Sequence, residues 1–164
     1  MPQFATFTLA DRLFGLNVQL VQEVMHDQTL TPVPLAPETV LGLINLRGQI
    51  LVAVDLAKLL RLPSRVGQRL PPAEPHPAEP HPARLHLAEE VLILQTADDP
   101  ISLVVDDLGD VVETTEADYE ACSGLLDDEL DELVLGVYRL DEGLLHVLDA
   151  AELVQRLQPP SKGR

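Results

Sequence analysis

The fold is decided by LGLINLRGQILVAVDLAKLL at residues 41–60, a pattern that returns as LGVYRLDEGLLHVLDAAELV at residues 135–154. In each stretch two apolar runs flank a polar turn with a glycine, and an aspartate then precedes a short helical pattern. Each stretch therefore predicts a β-hairpin followed by a helix, with Asp55 or Asp149 as the helix N-cap. The matching pairs, 94 residues apart, are Leu41/Leu135, Gly42/Gly136, Leu46/Leu140, Asp55/Asp149, Ala57/Ala151 and Leu59/Leu153.

The segments upstream of these stretches also match. Residues 7–18 (FTLADRLFGLNV) align with residues 94–105 (LQTADDPISLVV), 87 positions further on, and both predict a hairpin around a polar turn. A bent or short helical segment is expected at residues 19–25. A chain with two similar halves indicates two similar lobes. Short strands between turn signals favour small barrels, so we predict a mainly β fold of two barrel-like lobes with short helices, including a C-terminal one.

The two lobes are expected at about residues 1–62 and 89–157. The stretch between them, about 63–88, is rich in proline and histidine and contains AEPHP twice in succession. Proline at this density removes helical and ladder hydrogen bonds, so an extended or disordered, mobile insertion is predicted. Residues 159–164 are expected to form a flexible tail. A short helix is expected near residues 125–133, where leucines share one face.

The formal net charge of −16 is concentrated in the second half of the chain. Residues 1–62 carry four basic and five acidic side chains, whereas residues 85–138 carry sixteen acidic and no basic ones. Because an acidic field repels phosphate, binding to nucleic acid or to anionic membranes is not expected. A basic protein partner is compatible with this charge, although a solvated acidic surface is the simpler interpretation.

The cellular compartment follows from what the sequence lacks. A single cysteine, Cys122, allows no disulfide within the chain and fits a reducing compartment. The first residues do not form the cationic start of a signal peptide. No apolar run reaches the roughly 18 residues of a membrane span. We therefore expect a soluble, cytoplasmic protein without direct membrane insertion.

The segment GLINLRGQILVAVDL, residues 42–56, resembles the signature region of CheW-like adaptors of bacterial chemotaxis. The family pattern is a glycine, a strand, Asn-Leu-Arg-Gly, a second strand and Asp-Leu. Residues 4–24 resemble the family's N-terminal hairpin, and residues 103–111 the start of its second lobe. The resemblance covers nearly the whole chain apart from the insertion and the tail. It implies two SH3-like five-stranded β-barrel lobes with a groove between them, in a single domain of about residues 1–158.

The resemblance also implies a non-catalytic adaptor without a cofactor. Family members bridge the cytoplasmic tip of chemoreceptors (methyl-accepting chemotaxis proteins) to the regulatory domain of a CheA-type histidine kinase, which implies recruitment to membrane-bound receptor arrays. Receptor contact is associated with the groove, and the sequence leaves the pathway open between flagellar chemotaxis, type IV pilus motility and other chemosensory systems. The positions that match the family's receptor contacts are Val21, Glu23, Gly42 and Arg47, and those that support the motif are Asn45, Gly48 and Asp55.

Local chemistry supports these roles and leaves alternatives open. Arg47 sits at a predicted hairpin turn, so its guanidinium should reach outward, where it can make a forked pair with a carboxylate of a receptor helix. An internal ion pair that fixes the turn is the alternative. Gly42 and Gly48 either allow close contact with a partner or meet the backbone requirements of a bulge or turn.

A metal site is not expected from the histidines of the insertion. His76, His81 and His86 recur every five residues, but the prolines between them prevent the helix that would bring them together. No cysteine or rigid carboxylate nearby completes a ligand shell. We therefore interpret these histidines as part of a polar linker.

Catalysis is not expected either. The acidic pairs Asp98/Asp99 and Asp106/Asp107 fall at a predicted turn and at a strand end, where turn chemistry accounts for them. The alternative to an adaptor is a small-ligand sensor that uses the groove between the lobes as its pocket. The sequence shows no convergent polar or aromatic residues for such a pocket.

Overall fold

A computed structural model describes residues 2–64, 87–97, 99–121 and 132–157. The predictions for residues 65–86 of the insertion, for the tail and for most of the helix near 125–133 lie outside these residues. Leu87 and Ala88, which were expected in the insertion, begin a strand instead. Helix α1 (Leu56–Leu59) follows the fifth strand, and helix α2 (Ala150–Leu157) follows the last. The strands are β1 Gln3–Leu9, β2 Arg12–Asn17, β3 Val21–Thr29, β4 Val40–Leu46, β5 Gln49–Asp55, β6 Leu87–Leu94, β7 Ile101–Val105, β8 Asp107–Glu113, β9 Tyr119–Ala121, β10 Val134–Leu140 and β11 Gly143–Leu148.

The strands form two sheets, and each sheet takes strands from both halves of the sequence. The first has six strands in the order β8-β1-β2-β11-β10-β9, and the second has five in the order β3-β6-β7-β5-β4. Parallel pairings, of β2 with β11 and of β5 with β7, join the hairpins within each sheet. The two sheets therefore do not coincide with the two lobes predicted at residues 1–62 and 89–157. Each sheet curls, and we call them the first and the second half-barrel.

The two half-barrels have the same pattern of strand pairing when each strand is replaced by its counterpart from the other half of the sequence. Strand β1 pairs with β8 as β6 pairs with β3, and β2 pairs with β11 as β7 pairs with β5. Gly42 lies opposite Ala53 and Gly136 opposite Val147, and β4 and β10 each have a register shift just before the glycine. The sequence repeat is thus a repeat of strand pairing. It fixes which positions correspond, but the N-terminal hairpin packs with the C-terminal half of the chain.

The main hydrophobic core lies between the two sheets. Phe7 and Phe14 come from the first sheet, Leu92 and Leu103 from the second, and Leu153 from α2, and all five are 0% exposed. Full burial of one such side chain stabilises the fold by roughly 1.5–3 kcal/mol. Because both sheets contribute to the same core, they are held together as one unit. Two smaller apolar clusters belong to the second and first half-barrels respectively.

The mainly β fold, the four predicted hairpins and the C-terminal helix are confirmed. The bent or helical segment expected at residues 19–25 is wrong in its greater part, because a short 3-10 turn ends at Leu20 and β3 then begins. Half-buried and exposed side chains alternate along β3, as is typical of an edge strand. The acidic strands β8 and β9 were not predicted, and β9 gives the first half-barrel six strands instead of five.

One member of the predicted acidic pairs holds a turn together. Ala10 and Asp11, between β1 and β2, have φ values of 50° and 66°, as two-residue hairpin turns require. Asp106 is buried, and its Oδ2 accepts a hydrogen bond from the Ala10 backbone N–H at 2.9 Å. Asp107 begins β8, and Asp98 lies outside the described residues. Asp106 therefore has a structural role.

Candidate functional site

Two of the predicted contact residues meet on the surface of the second half-barrel. The Nη2 atom of Arg47 donates to Oε2 of Glu23 at 3.0 Å. The Arg47 side chain is 76% exposed and that of Glu23 23%. The pair joins edge strand β3 to the turn between β4 and β5, and so it spans the open side of the sheet. The internal ion pair that the sequence left open for Arg47 is therefore present.

The turn that carries Arg47 fixes its direction. Leu46 ends β4 and Gln49 begins β5, so Arg47 and Gly48 are the loop residues, with φ values of 52° and 90°. Two successive positive φ values suit a tight hairpin turn, and glycine adopts them without steric cost. The Oδ1 atom of Asn45 accepts a hydrogen bond from the Gly48 backbone N–H at 2.9 Å. Asn45 and Gly48 thus hold the arginine at the tip of the hairpin.

Gly42 is buried beneath a neighbouring backbone. The Thr31 N–H donates to the Leu43 carbonyl at 2.9 Å, and the Leu43 N–H donates to the Thr31 carbonyl at 2.8 Å. A Cβ atom on Gly42 would lie 2.5 Å from the Thr31 carbonyl oxygen. The structure thus supplies the backbone reason for this glycine. Its contact with a partner stays a prediction.

Val21 and Glu23 lie on β3, at one edge of the second sheet. Both are half-buried, whereas Gln22 and Val24 between and beyond them are exposed. The Oε1 atom of Glu23 is buried and has no hydrogen-bond partner among the described residues. A buried acceptor without a donor costs free energy. Since Oε1 is buried, a partner would reach this carboxylate through Oε2, the atom that already accepts from Arg47.

Asp55 stabilises the fold and is not part of a contact surface, since it is only 1% exposed. Its Oδ1 accepts a hydrogen bond from the Lys58 N–H at 3.3 Å, and its Oδ2 accepts one from the Ser64 hydroxyl at 2.5 Å. At the equivalent place before α2, Asp149 Oδ1 accepts a hydrogen bond from the Glu152 N–H at 3.2 Å. Both predicted helix N-caps are confirmed.

Two neighbouring cavities lie beside the first turn of α2, where the two sheets meet. Their volumes are about 560 Å³ and about 340 Å³. Leu20, Ala150 and Ala151 line both of them. Leu20 directly precedes Val21, so the cavities begin next to the predicted receptor contacts. We call the two cavities and Leu20 together the junction groove.

Three aromatic rings converge at the larger cavity. Their proximity could not be predicted from the sequence. The ring centroids of Phe4 and Tyr138 are 5.4 Å apart, and those of Tyr138 and Tyr119 are 5.1 Å apart. All three residues line the cavity. They lie far apart in the sequence and come together because β1, β10 and β9 belong to one sheet. The only available signal was the sequence repeat, and it does not tell which half of the chain the N-terminal hairpin joins.

Within the described part of the chain, no group of three or more His, Cys, Asp or Glu side chains could hold a metal ion. His76, His81 and His86 lie outside that part. None of the helices formed by the described residues is long and apolar enough to cross a membrane.

Comparisons with known proteins agree with this geometry. Residues 3–158 match the model of the CheW-like domain family. The chain is 26% identical over 155 residues to the chemotaxis protein CheW of Treponema pallidum, covering 92% of this chain and 81% of the relative. It is 24% identical over 147 residues to the chemotaxis protein CheW of Rhizobium meliloti, covering 90% and 83%.

A solved structure extends the likeness to three dimensions. The scaffolding protein TtCheW from Thermoanaerobacter tengcongensis matches with a TM-score of 0.70 and 24% identity. The match covers 91% of this chain and 90% of that protein. The two proteins therefore share their fold over nearly their whole length.

Proposed function

The chain belongs to the CheW-like domain family, and on that premise we propose that it is an adaptor that couples chemoreceptors to a CheA-type histidine kinase. The family is one of non-catalytic chemotaxis scaffolds, as the names of its relatives indicate. An adaptor acts by differential binding, because it stabilises those arrangements of receptor and kinase that transmit a signal. Binding to receptors would recruit the protein to membrane-bound receptor arrays.

The pair of Glu23 and Arg47 is the observation that carries the receptor half of this proposal. Arg47 is exposed, and its guanidinium has further N–H groups with which to bind a carboxylate of a receptor helix. Glu23 holds this guanidinium through Oε2, which accepts from Nη2 of Arg47. Val21 extends this surface along β3, and Gly42 lies on β4, the strand at the other edge of the same sheet. A helix laid across β3 would thus meet a donor and an apolar side chain.

Exposed apolar side chains at equivalent positions support the kinase half. Ile50 and Leu144, each the second residue of its strand after a hairpin turn, are 56% and 42% exposed. Val24 and Val111, on the edge strands β3 and β8, are also exposed. Exposed apolar groups on sheet edges are typical protein contacts. The kinase regulatory domain is proposed to bind at one of these barrel ends.

The proposal is tested by titration calorimetry with two partners from the same genome. One is the regulatory domain of the CheA-type kinase, and the other is a fragment of the receptor signalling tip. Arg47→Ala should weaken receptor binding by about tenfold, because it removes charge-assisted hydrogen bonds. Arg139→Ala is the matched control, since Arg139 is an exposed arginine of the first half-barrel paired with Glu120.

The outcomes separate the two halves of the proposal. The adaptor function predicts micromolar binding of the wild-type chain to both partners, a loss confined to the receptor in Arg47→Ala, and no change of receptor binding in Arg139→Ala. If neither partner binds at hundreds of micromolar, the adaptor function is wrong for that pathway. The small-ligand sensor would then become the leading hypothesis.

A further inference from the structure

The larger of the two cavities has a buried aromatic floor. Phe4 and Tyr138 there are 6% and 8% exposed, whereas Tyr119 and Leu135 at the rim are 42% and 55% exposed. Its volume of about 560 Å³ lies within the range of sites that bind small molecules, which are lined mainly by apolar and aromatic side chains. The size and the lining therefore fit a small organic molecule with an apolar body.

The aromatic wall of this cavity is held in place by contacts within the protein. The Tyr119 hydroxyl donates to the Leu135 backbone carbonyl at 3.0 Å, and the Tyr119 ring contacts that of Tyr138. Gly136 allows the ring to lie against the strand, because a Cβ atom there would be 2.5 Å from the Tyr119 hydroxyl oxygen. A ligand that binds to a preformed wall loses less free energy in ordering it.

Two polar atoms of the cavity lining make no hydrogen bond among the described residues. One is the hydroxyl of Tyr138, a residue that is only 8% exposed. The other is Oδ2 of Asp149, whose Oδ1 accepts from the Glu152 N–H at 3.2 Å as the N-cap of α2. In small-molecule sites a few polar groups on an apolar lining fix the orientation of the ligand. These two atoms are suited to that role.

The charge of the lining favours a cation. Asp149 is the only ionisable acid or base, tyrosine apart, that lines the larger cavity, and no lysine or arginine does. The first turn of α2 has a partial positive charge of roughly one half, which would favour an anion. The full negative charge of the Asp149 carboxylate exceeds it, and the chain as a whole carries a net charge of −16.

We propose that the larger cavity binds a small organic cation, an amine whose apolar body lies on the aromatic floor and whose ammonium group pairs with Asp149. An ammonium group has several N–H donors, so it can also donate to the Tyr138 hydroxyl. The inference goes beyond the adaptor function and does not depend on it, because the cavity is formed by the folded chain alone.

Three probes with the same phenyl ring but different charges test this site: phenethylamine, 2-phenylethanol and phenylacetate. The chain has two tyrosines and no tryptophan, and both tyrosines line the cavity, so tyrosine fluorescence reports on this cavity. Phenethylamine, the cation, should bind with a dissociation constant of about 1 mM or lower. Neutral 2-phenylethanol should bind about fivefold to tenfold more weakly, and the anion phenylacetate should bind least.

The ion pair is tested by Asp149→Asn, which keeps the helix cap because asparagine caps as well as aspartate. This variant should bind phenethylamine about fivefold to tenfold more weakly than the wild type and should bind 2-phenylethanol unchanged. Glu152→Gln is the matched control, because it removes one negative charge from the same helix at a residue that does not line the cavity. It should leave the binding of both probes unchanged.

The position of the site is tested by Ala151→Met. Ala151 is exposed on α2 and lines the cavity, so methionine, a good helix former, places a flexible side chain in it. All probes should then bind at least about fivefold more weakly. Gln155→Met, at an exposed residue of the same helix that does not line the cavity, should bind them as the wild type does. Far-ultraviolet circular dichroism checks that each variant is folded.

Several results would overturn the inference. These are the absence of phenethylamine binding at tens of millimolar, equal or tighter binding of phenylacetate, and equal binding of phenethylamine by Asp149→Asn and the wild type. Binding that persists unchanged in Ala151→Met would place the site outside this cavity and would also overturn it. None of these results bears on the adaptor function, which fails only if the kinase domain and the receptor fragment do not bind.

Discussion

The two half-barrels have equivalent strand pairing but protect their equivalent glycines in different ways. In the second half-barrel the backbone of Thr31 lies against Gly42. In the first, the side chain of Tyr119 lies against Gly136. The equivalent position therefore requires glycine in both half-barrels. In the second it lies against a backbone, and in the first it lies against a side chain that can rotate. The second half-barrel should tolerate less change at this position than the first.

The largest effect is expected from Gly42→Ala. Its Cβ atom would lie 2.5 Å from the Thr31 carbonyl oxygen, so the bridge between Thr31 and Leu43 must shift or break. We expect the free energy of unfolding to fall by about 3 kcal/mol, as for severe overpacking. Urea denaturation followed by circular dichroism measures it. A loss of less than 1 kcal/mol would mean that this backbone is as adaptable as a side chain.

Gly136→Ala should cost less, about 1–2 kcal/mol, because the ring of Tyr119 can rotate away. The same denaturation experiment applies, with Tyr119→Ser and the double variant completing a cycle. The double variant should be more stable than the sum of the single losses predicts, by about 1 kcal/mol. Strict additivity would show that Tyr119 is not the group that meets the new methyl.

Ser102→Ala should stabilise the protein, whereas both glycine substitutions should destabilise it. Ser102 on β7 corresponds to Gly15 on β2, since the two lie 87 residues apart and pair with the equivalent residues Ala53 and Val147. The Ser102 hydroxyl is fully buried without a hydrogen-bond partner among the described residues. Removing it should raise the free energy of unfolding by about 1 kcal/mol. A loss of stability would reveal a hydrogen bond to this hydroxyl.

The smallest effects are expected at the equivalent positions Asn45 and Arg139. Asn45→Ala removes the hydrogen bond to the Gly48 N–H and should cost about 1 kcal/mol. Arg139→Ala removes an exposed ion pair with Glu120 and should cost less than about 0.5 kcal/mol. Thermal unfolding of both variants compares them directly. Equal losses would show that the ion pair stabilises its half-barrel as much as the turn bond does.

Local features of the fold could be predicted because their physical causes are local. Alternating apolar runs with glycine-containing turns predict hairpins, and Asp55 and Asp149 cap helices through atoms three residues away. The exchange of hairpins between the sequence halves could not be predicted. The repeat shows which positions are equivalent, but it does not show which half of the chain each hairpin pairs with. Strands β8 and β9 were missed because acidic residues interrupt their apolar pattern.

The candidate site was predictable in part for the same reason. The turn at Asn45 and Gly48 places Arg47 outward by local geometry, and the sequence already offered an internal partner as an alternative. That this partner is Glu23 depends on the curl of the sheet, which brings β3 to the turn after β4. The junction groove depends on contacts between the halves of the chain. No local pattern marks it.

A protein that couples two partners must bind both of them at once. The kinase regulatory domain and the receptor tip fragment would be mixed with and without the chain and examined by sedimentation velocity. The adaptor function predicts that the two partners sediment together only when the chain is present, and that Arg47→Ala weakens this ternary complex. Mutual displacement of the two partners, each binding only in the absence of the other, would contradict it.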